Sequence, residues 1–158
     1  MSAGSALQRE IRQRVPFSSP QEEAILAIAR TADVLRRRIS RLIEPYGVTE
    51  QQYNVLRILR GAGCDGLPTL DIAERMIEQT PGITRMIDRL ETKSLVSRER
   101  GCHDRRQVLC RISQSGLDLL AKLDEPLRQW GATALGTLRE KEMDALILTL
   151  ARIRAVRD

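Results

Sequence analysis

The most constraining feature of this sequence is a change of period inside residues 80–112. Ile83, Met86, Ile87 and Leu90 recur at helical spacing. Directly after them, Leu95-Val96-Ser97-Arg98-Glu99-Arg100 and Gln107-Val108-Leu109-Cys110-Arg111-Ile112 read as two short strands. A helix running straight into a two-stranded hairpin leaves few folds open. Thr80 reads as the cap of that helix and Pro81 as its first residue, where the missing N–H leaves no bond unmade. At about 100° per residue, Pro81, Arg85, Asp88 and Thr92 lie opposite the apolar side, with Thr84 and Arg89 on its flanks. The loop joining the strands, Gly101-Cys102-His103-Asp104-Arg105-Arg106, is polar and basic at its tip.

The charge is concentrated in the same place. The 158 residues carry a formal net charge of +5. Between Thr80 and Arg111 stand Arg85, Arg89, Lys93, Arg98, Arg100, Arg105, Arg106 and Arg111 against Asp88, Glu91, Glu99 and Asp104, eight bases to four acids. That segment holds +4 of the total, and the remainder is close to neutral. A merely solvated face would intersperse the signs. A basic amphipathic helix beside a basic hairpin suits duplex DNA instead. The major groove admits one helix, and a hairpin can place arginine in a narrow, strongly negative minor groove.

Local signals set out the other elements. Ser19-Pro20-Gln21-Glu22 has the form of a capping box with proline at the first helical position. Behind it, Ile25, Ile28, Ala32, Leu35, Ile39 and Leu42 form an apolar seam, and Pro45 with Gly47 ends the helix. Thr49-Glu50-Gln51-Gln52 reads as a second box, opening a helix that carries Leu56 and Leu59 to the loop Gly61-Ala62-Gly63. A short helix is expected after a Thr69 cap, burying Leu70, Ile72, Ala73 and Met76 or Ile77. Ser113 opens a long helix through Leu117, Leu120, Leu123 and Leu127. Thr137 to Glu140 reads as a third box, before a last helix with Met143, Leu146, Ile147, Leu150 and Ile153 on its apolar side.

Composition narrows the class. Phe17, Tyr46, Tyr53 and Trp130 are the only aromatic residues, so the core is aliphatic and mostly helical. The cysteines Cys64, Cys102 and Cys110 are odd in number and form no C-x-x-C pair, which argues against a disulfide framework and a zinc site and suits a reducing cytoplasm. No apolar run is long enough to span a bilayer, so no membrane partner is expected. Neither a phosphate loop, a nucleophile-base set nor paired carboxylates appear, so the expectation is a protein that is not an enzyme and needs no cofactor.

The stretch Gln79-Thr80-Pro81-Gly82-Ile83-Thr84-Arg85-Met86-Ile87-Asp88-Arg89-Leu90-Glu91 resembles the recognition helix of the MarR (multiple antibiotic resistance regulator) family. So does Leu95-Val96-Ser97-Arg98 leading to Asp104-Arg105-Arg106, followed by Ile112-Ser113-Gln114-Ser115-Gly116. The resemblance runs over roughly residues 20–157, including the order of elements. It implies that Thr84, Arg85 and Arg89 meet the major groove or its phosphates, and that Asp104 orients the hairpin arginines while Arg106 reaches the minor groove. Ser94 departs from the pattern, standing where the family has glycine between helix and wing. If that position needs a left-handed backbone, serine there lowers stability.

The expected fold is mainly α with a small β-hairpin wing: a winged helix-turn-helix with a helical dimerisation region formed by N- and C-terminal helices. Residues 1–18 are expected as a flexible arm, 19–47 and 113–158 as dimerisation helices, and 48–112 as the DNA-binding region, one domain overall. The expected DNA contacts are Thr80, Pro81, Thr84, Arg85, Arg89, Arg98, Arg105 and Arg106. Asp88 is expected to pair with Arg85 or Arg89, and His103 to be a solvated loop residue. Cys110 reads as a small core residue. Cys102, beside Arg100, His103, Arg105 and Arg106, is the candidate oxidant-sensing thiol, although a plain loop cysteine ranks ahead of that reading. The function expected is a cytoplasmic, sequence-specific dimeric repressor on a pseudo-palindromic duplex operator, responsive to a small aromatic effector or to oxidation. The alternative is a winged-helix dimer that docks other proteins and no longer binds DNA.

Overall fold

The computed structural model describes residues 5–79, 81–100 and 108–156, so the expectations placed on Thr80, Cys102, His103, Asp104, Arg105 and Arg106 lie outside the described residues. The chain divides into two compact units, Met1–Glu50 and Gln51–Asp158.

In the first unit, the segment expected as an arm contains a short helix, α1 (Ala6–Glu10), whose Gln8 N–H is accepted by the Ser5 hydroxyl at 3.1 Å. The long helix α2 (Pro20–Ile43) starts where the sequence places it. Ser19 Oγ accepts the Glu22 N–H at 3.1 Å, and Pro20 stands at the first helical position. The other half of the box differs: the Glu22 carboxylate accepts from the N–H and the hydroxyl of Ser18, each at 2.6 Å. A turn of 3-10 helix, Glu44–Tyr46, and Gly47 at φ 74° close α2. Along α2, Ile25 remains 67% exposed and Ile28 40%.

The second unit is built on α3 (Glu50–Ala62), α4 (Thr69–Arg75), α5 (Ile83–Thr92) and α6 (Gln114–Leu135), followed by α7 (Glu140–Arg154). Three strands, β1 (Leu67–Pro68), β2 (Val96–Arg100) and β3 (Val108–Ile112), form an antiparallel sheet in the order β1-β3-β2. Val55, Leu56, Leu59, Ile72, Ile87, Leu90, Cys110, Leu120 and Leu123 are fully buried. Their aliphatic character matches the scarcity of aromatic residues.

Several expectations need correction. Strand β1 was not foreseen, because two residues in a Gly/Pro-rich stretch carry no alternation to read. It forms because the backbone at Gly66 (φ 69°) passes so near β3 that a Cβ there would lie 2.8 Å from the Cys110 carbonyl oxygen. Helix α4 has no side-chain cap, since Pro68 occupies the cap position and the Thr69 hydroxyl faces the Cys110 sulfur at 3.8 Å. It fully buries only Ile72, and Leu70 is 75% exposed, being about 200° away around so short a helix. Met76 ends the helix in an extended conformation (ψ 140°), so Met76 is half-buried and Ile77 is turned out at 80% exposure.

At the far end, α7 starts at Glu140 rather than after a Thr137 cap. The Arg139 N–H donates to Glu142 Oε2 at 2.9 Å, which moves the box two residues along the chain. Leu120 and Leu123, placed in the dimer seam from sequence, are already fully buried in the single chain. By contrast, Leu146 (38%), Ile147 (58%) and Ile153 (50%) on α7 are exposed. Among the described residues, no helix is long and apolar enough to cross a membrane.

Candidate nucleic-acid interface

The start of α5 is set by glycine. The sequence suggests a helix opened by Thr80 and Pro81, but the structure begins it at Ile83 with Gly82 in the cap position at φ 89°. A residue at positive φ cannot continue a right-handed helix, so Pro81 and Gly82 form a turn ahead of α5. The turn is tied down upstream: the Ile77 N–H donates to Asn54 Oδ1 of α3 at 3.0 Å.

The other end closes on a left-handed residue that is not glycine. Ser94 has φ 58°, and its N–H donates to the Glu91 carbonyl at 2.8 Å while the Leu95 N–H donates to the Leu90 carbonyl at 2.9 Å. These bonds satisfy the last carbonyls of α5 and direct the chain into β2. The stability penalty expected for serine therefore applies. Lys93 adds a bond from Nζ to Oε1 of the buried Gln52 of α3, at 3.4 Å.

Between these ends, Ile87 and Leu90 are buried and Ile83 and Met86 are half-buried, so the apolar side of α5 faces the core as expected. Pro81, Thr84, Arg85 and Arg89 are all exposed.

Arg98 differs from these. Strand β2 alternates, and Arg98 stands two residues from the buried Val96 and opposite the buried Cys110, so it shares their face of the sheet. Its guanidinium meets Asp88 Oδ1 at 2.6 Å and Glu91 Oε2 at 2.9 Å, and donates to the Thr84 carbonyl at 3.4 Å. Asp88 is therefore paired, but with Arg98 of the strand rather than with Arg85 or Arg89 of its own helix. The reason is geometric: Asp88 and Glu91 are one turn apart on the side of α5 that overlies β2. Burial opposes the charge on Arg98 more than any other single effect, yet the hydrogen bond and charge of Asp88, with the charge of Glu91 and a bond donated to the Cys110 sulfur, raise its pKa overall. On the opposite face of the sheet, Arg111 Nε approaches Glu99 at 3.4 Å.

Acids and bases on α5 thus differ in their partners: Asp88 and Glu91, exposed like the arginines, are both paired with Arg98, while Arg85 and Arg89 extend into solvent. The alternation Val96-Ser97-Arg98 carried this signal, because it places Arg98 on the same face of the strand as the apolar Val96. Among the described residues no group of three or more His, Cys, Asp or Glu is placed to hold a metal ion.

A helix-turn-helix of α4 and α5 on α3, flanked by the β2–β3 hairpin, is a winged helix-turn-helix. The family model for the MarR family matches residues 48–108. The crystal structure of a MarR transcription factor from Planctomyces limnophilus is 38% identical over 85% of this chain and 98% of that one, with a TM-score of 0.65. A MarR family transcriptional regulator from Streptomyces coelicolor is 24% identical over 87% of this chain and 94% of its own, with a TM-score of 0.72. The S. aureus MepR–DNA complex superposes with a TM-score of 0.76 at 20% identity, over 87% of this chain and 98% of that one. The chain belongs to the MarR family and is a DNA-binding transcription regulator.

Proposed function

We propose that the protein is a cytoplasmic, dimeric, sequence-specific repressor that inserts α5 into the major groove of a pseudo-palindromic operator and lays the β2–β3 hairpin along the adjacent minor groove. The observation that carries this reading is the pairing of charge on α5, with Arg85 and Arg89 exposed while both neighbouring acids are tied to Arg98. A helix so arranged offers guanidinium groups to base edges and phosphates while Arg98 compensates the neighbouring carboxylates. Pro81, Thr84, Arg85 and Arg89 are the proposed contacts on the helix side, with Thr80 beside them. Arg105 and Arg106, oriented by Asp104, are the proposed contacts on the wing. Arg98 supports the helix instead of touching DNA. The MepR–DNA complex, in which a protein of the same fold is bound to DNA, supports this reading.

Dimerisation is proposed through residues 19–47 and 113–158, with residues 48–112 as the DNA-binding region. Ile25, Ile28, Leu146, Ile147 and Ile153 are between 38% and 67% exposed, and a second chain would remove them from water. The proposed signal is a small amphipathic aromatic effector that favours a dimer with differently spaced recognition helices. Oxidation of Cys102 is the competing route. Replacing it with serine should abolish any peroxide sensitivity of DNA binding, and unchanged sensitivity would remove the thiol from consideration.

The central test is selection of bound sites from random duplexes, followed by affinity measurements across salt concentration. With ~6–10 phosphate contacts, log affinity should fall against log salt with a slope of roughly −5 to −9. The selected site should carry a dyad with half-site centres ~10 base pairs apart. Failure to bind any duplex would favour the protein-docking alternative, and a selected site without a dyad would contradict the dimer.

A further inference from the structure

We infer that Arg98 is a positioning residue for DNA recognition: it fixes the rotation of α5 about its own axis, and so decides which way Arg85 and Arg89 point. The inference rests on the DNA-binding reading above and adds a specific role within it. Taking Asp88 as the origin and ~100° per residue, Thr84 and Glu91 lie ~40° and ~60° to one side, and Arg85 and Arg89 ~60° and ~100° to the other. The three groups that Arg98 holds, at 2.6, 2.9 and 3.4 Å, are therefore all on the near side of the helix. The hydrophobic contacts of Ile87 and Leu90 fix how closely α5 lies on the core, but apolar packing is nondirectional and resists a small roll weakly. A guanidinium whose Nη1 meets both carboxylates while its Nη2 donates to the Thr84 carbonyl, one turn away, does resist it. Only about a quarter of the Arg98 side chain is exposed, and its strand partner is the fully buried Cys110, so the clamp is anchored in the core.

A second consequence is electrostatic. Without Arg98, two carboxylates would stand uncompensated on a helix meant for a polyanion. That effect acts on every duplex alike, whereas a rolled helix misplaces Arg85 and erodes discrimination between sequences. The two can therefore be separated.

The test measures affinities of the full-length protein and its Arg98→Gln, Arg98→Lys and Arg98→Gln/Asp88→Asn variants. The duplexes are the selected site and the same site with one base pair changed in each half. Charge effects cancel in the ratio of the two affinities. For Arg98→Gln that ratio should fall about tenfold, toward what losing one bidentate base contact produces. Arg98→Lys, which keeps the charge without the fork, should fall between. In the double variant the ratio should be no lower than in Arg98→Gln alone, because both residues belong to one clamp.

A direct phosphate contact predicts the reverse, an unchanged ratio with a slope smaller by about 1, and would overturn the inference. So would an unchanged ratio with an unchanged slope. Amide hydrogen exchange supplies a readout that needs no DNA. Arg98→Gln should speed exchange in α5 and spare α6; equal protection of α5 in variant and parent would overturn the clamp. A parent protein that binds no duplex would defeat the DNA-binding reading, and the exchange result would still decide whether Arg98 holds α5.

Discussion

The hydroxyl of Ser113 donates to the Ser94 carbonyl at 2.7 Å while accepting the Gly116 N–H at 3.1 Å. One side chain thus closes the exit of the recognition helix and opens α6. The Ser113 N–H reinforces the link by donating to the Leu95 carbonyl at 3.0 Å. Ser113→Ala should therefore destabilise the second unit by about 1–2 kcal/mol, the upper part of the range for loss of a capping hydroxyl. Ser113→Thr, which keeps the oxygen, should recover most of it. Urea denaturation at constant m-value measures both.

Ser94 holds φ 58° with a Cβ present. Ser94→Gly should raise stability by about 0.5–1 kcal/mol, the relief of left-handed strain less the added freedom of the unfolded chain. The Ser94 bonds are made by backbone atoms and survive the change, so DNA affinity should be unaltered. A lower melting temperature would show that the side chain contributes more than the strain removes.

Gly116 stands where α6 meets the sheet. A Cβ there would lie 2.5 Å from the Leu95 carbonyl oxygen and 2.7 Å from Ile112 Cγ1. Gly116→Ala should destabilise by about 1–3 kcal/mol through overpacking against backbone, in spite of alanine's better helix propensity. Gly131, in the same helix with open space around it, is the control: Gly131→Ala should be neutral or stabilising in thermal melts.

Arg85 and Arg106 should fail differently. Arg85 is exposed on α5, and loss of a bidentate guanine contact would remove about 1–3 kcal/mol of discrimination. Arg85→Ala should therefore relax the preference at one position in each half-site. Arg106→Ala should weaken binding most where the flanks are A·T-rich and leave the central preference intact. Both variants should remain dimeric and folded. Equal losses on every sequence would mean that both arginines contact phosphate alone.

The Glu22 carboxyl is held below the ordinary glutamate range, first by the Ser18 hydroxyl and then by the Ser18 N–H. A folded-state pKa that is depressed contributes stability above the unfolded pKa, and the contribution is lost as pH falls through the folded value. Carbon-13 titration should place the Glu22 midpoint below the ~4.3 of a free glutamate side chain. Ser18→Ala should move it back toward that value, and an unmoved midpoint would show that the hydroxyl is not the cause.

Much of this fold could be read from local chemistry. Ser19 and Ser113 cap helices that start where these residues stand, because a cap is a contact across three residues and is spelled in adjacent letters. That β2 and β3 are strands could be read from their short runs, although their register could not, and the basic bias of residues 80–111 points to the proposed interface without any coordinates. Contacts between distant segments were not written that way. Strand β1 exists because β3 is there to pair with it, and the start of α5 at Ile83 depends on the backbone conformation of Gly82. Leu120 and Leu123 carry the same apolar seam whether the partner is another chain or their own core, and only the packed structure decides. Arg98 shows the difference most clearly. Its charge placed it among the DNA contacts, but the side chain turns to Asp88 and Glu91. Periodicity says which face of an element a residue occupies; what covers that face depends on where another part of the chain has been brought.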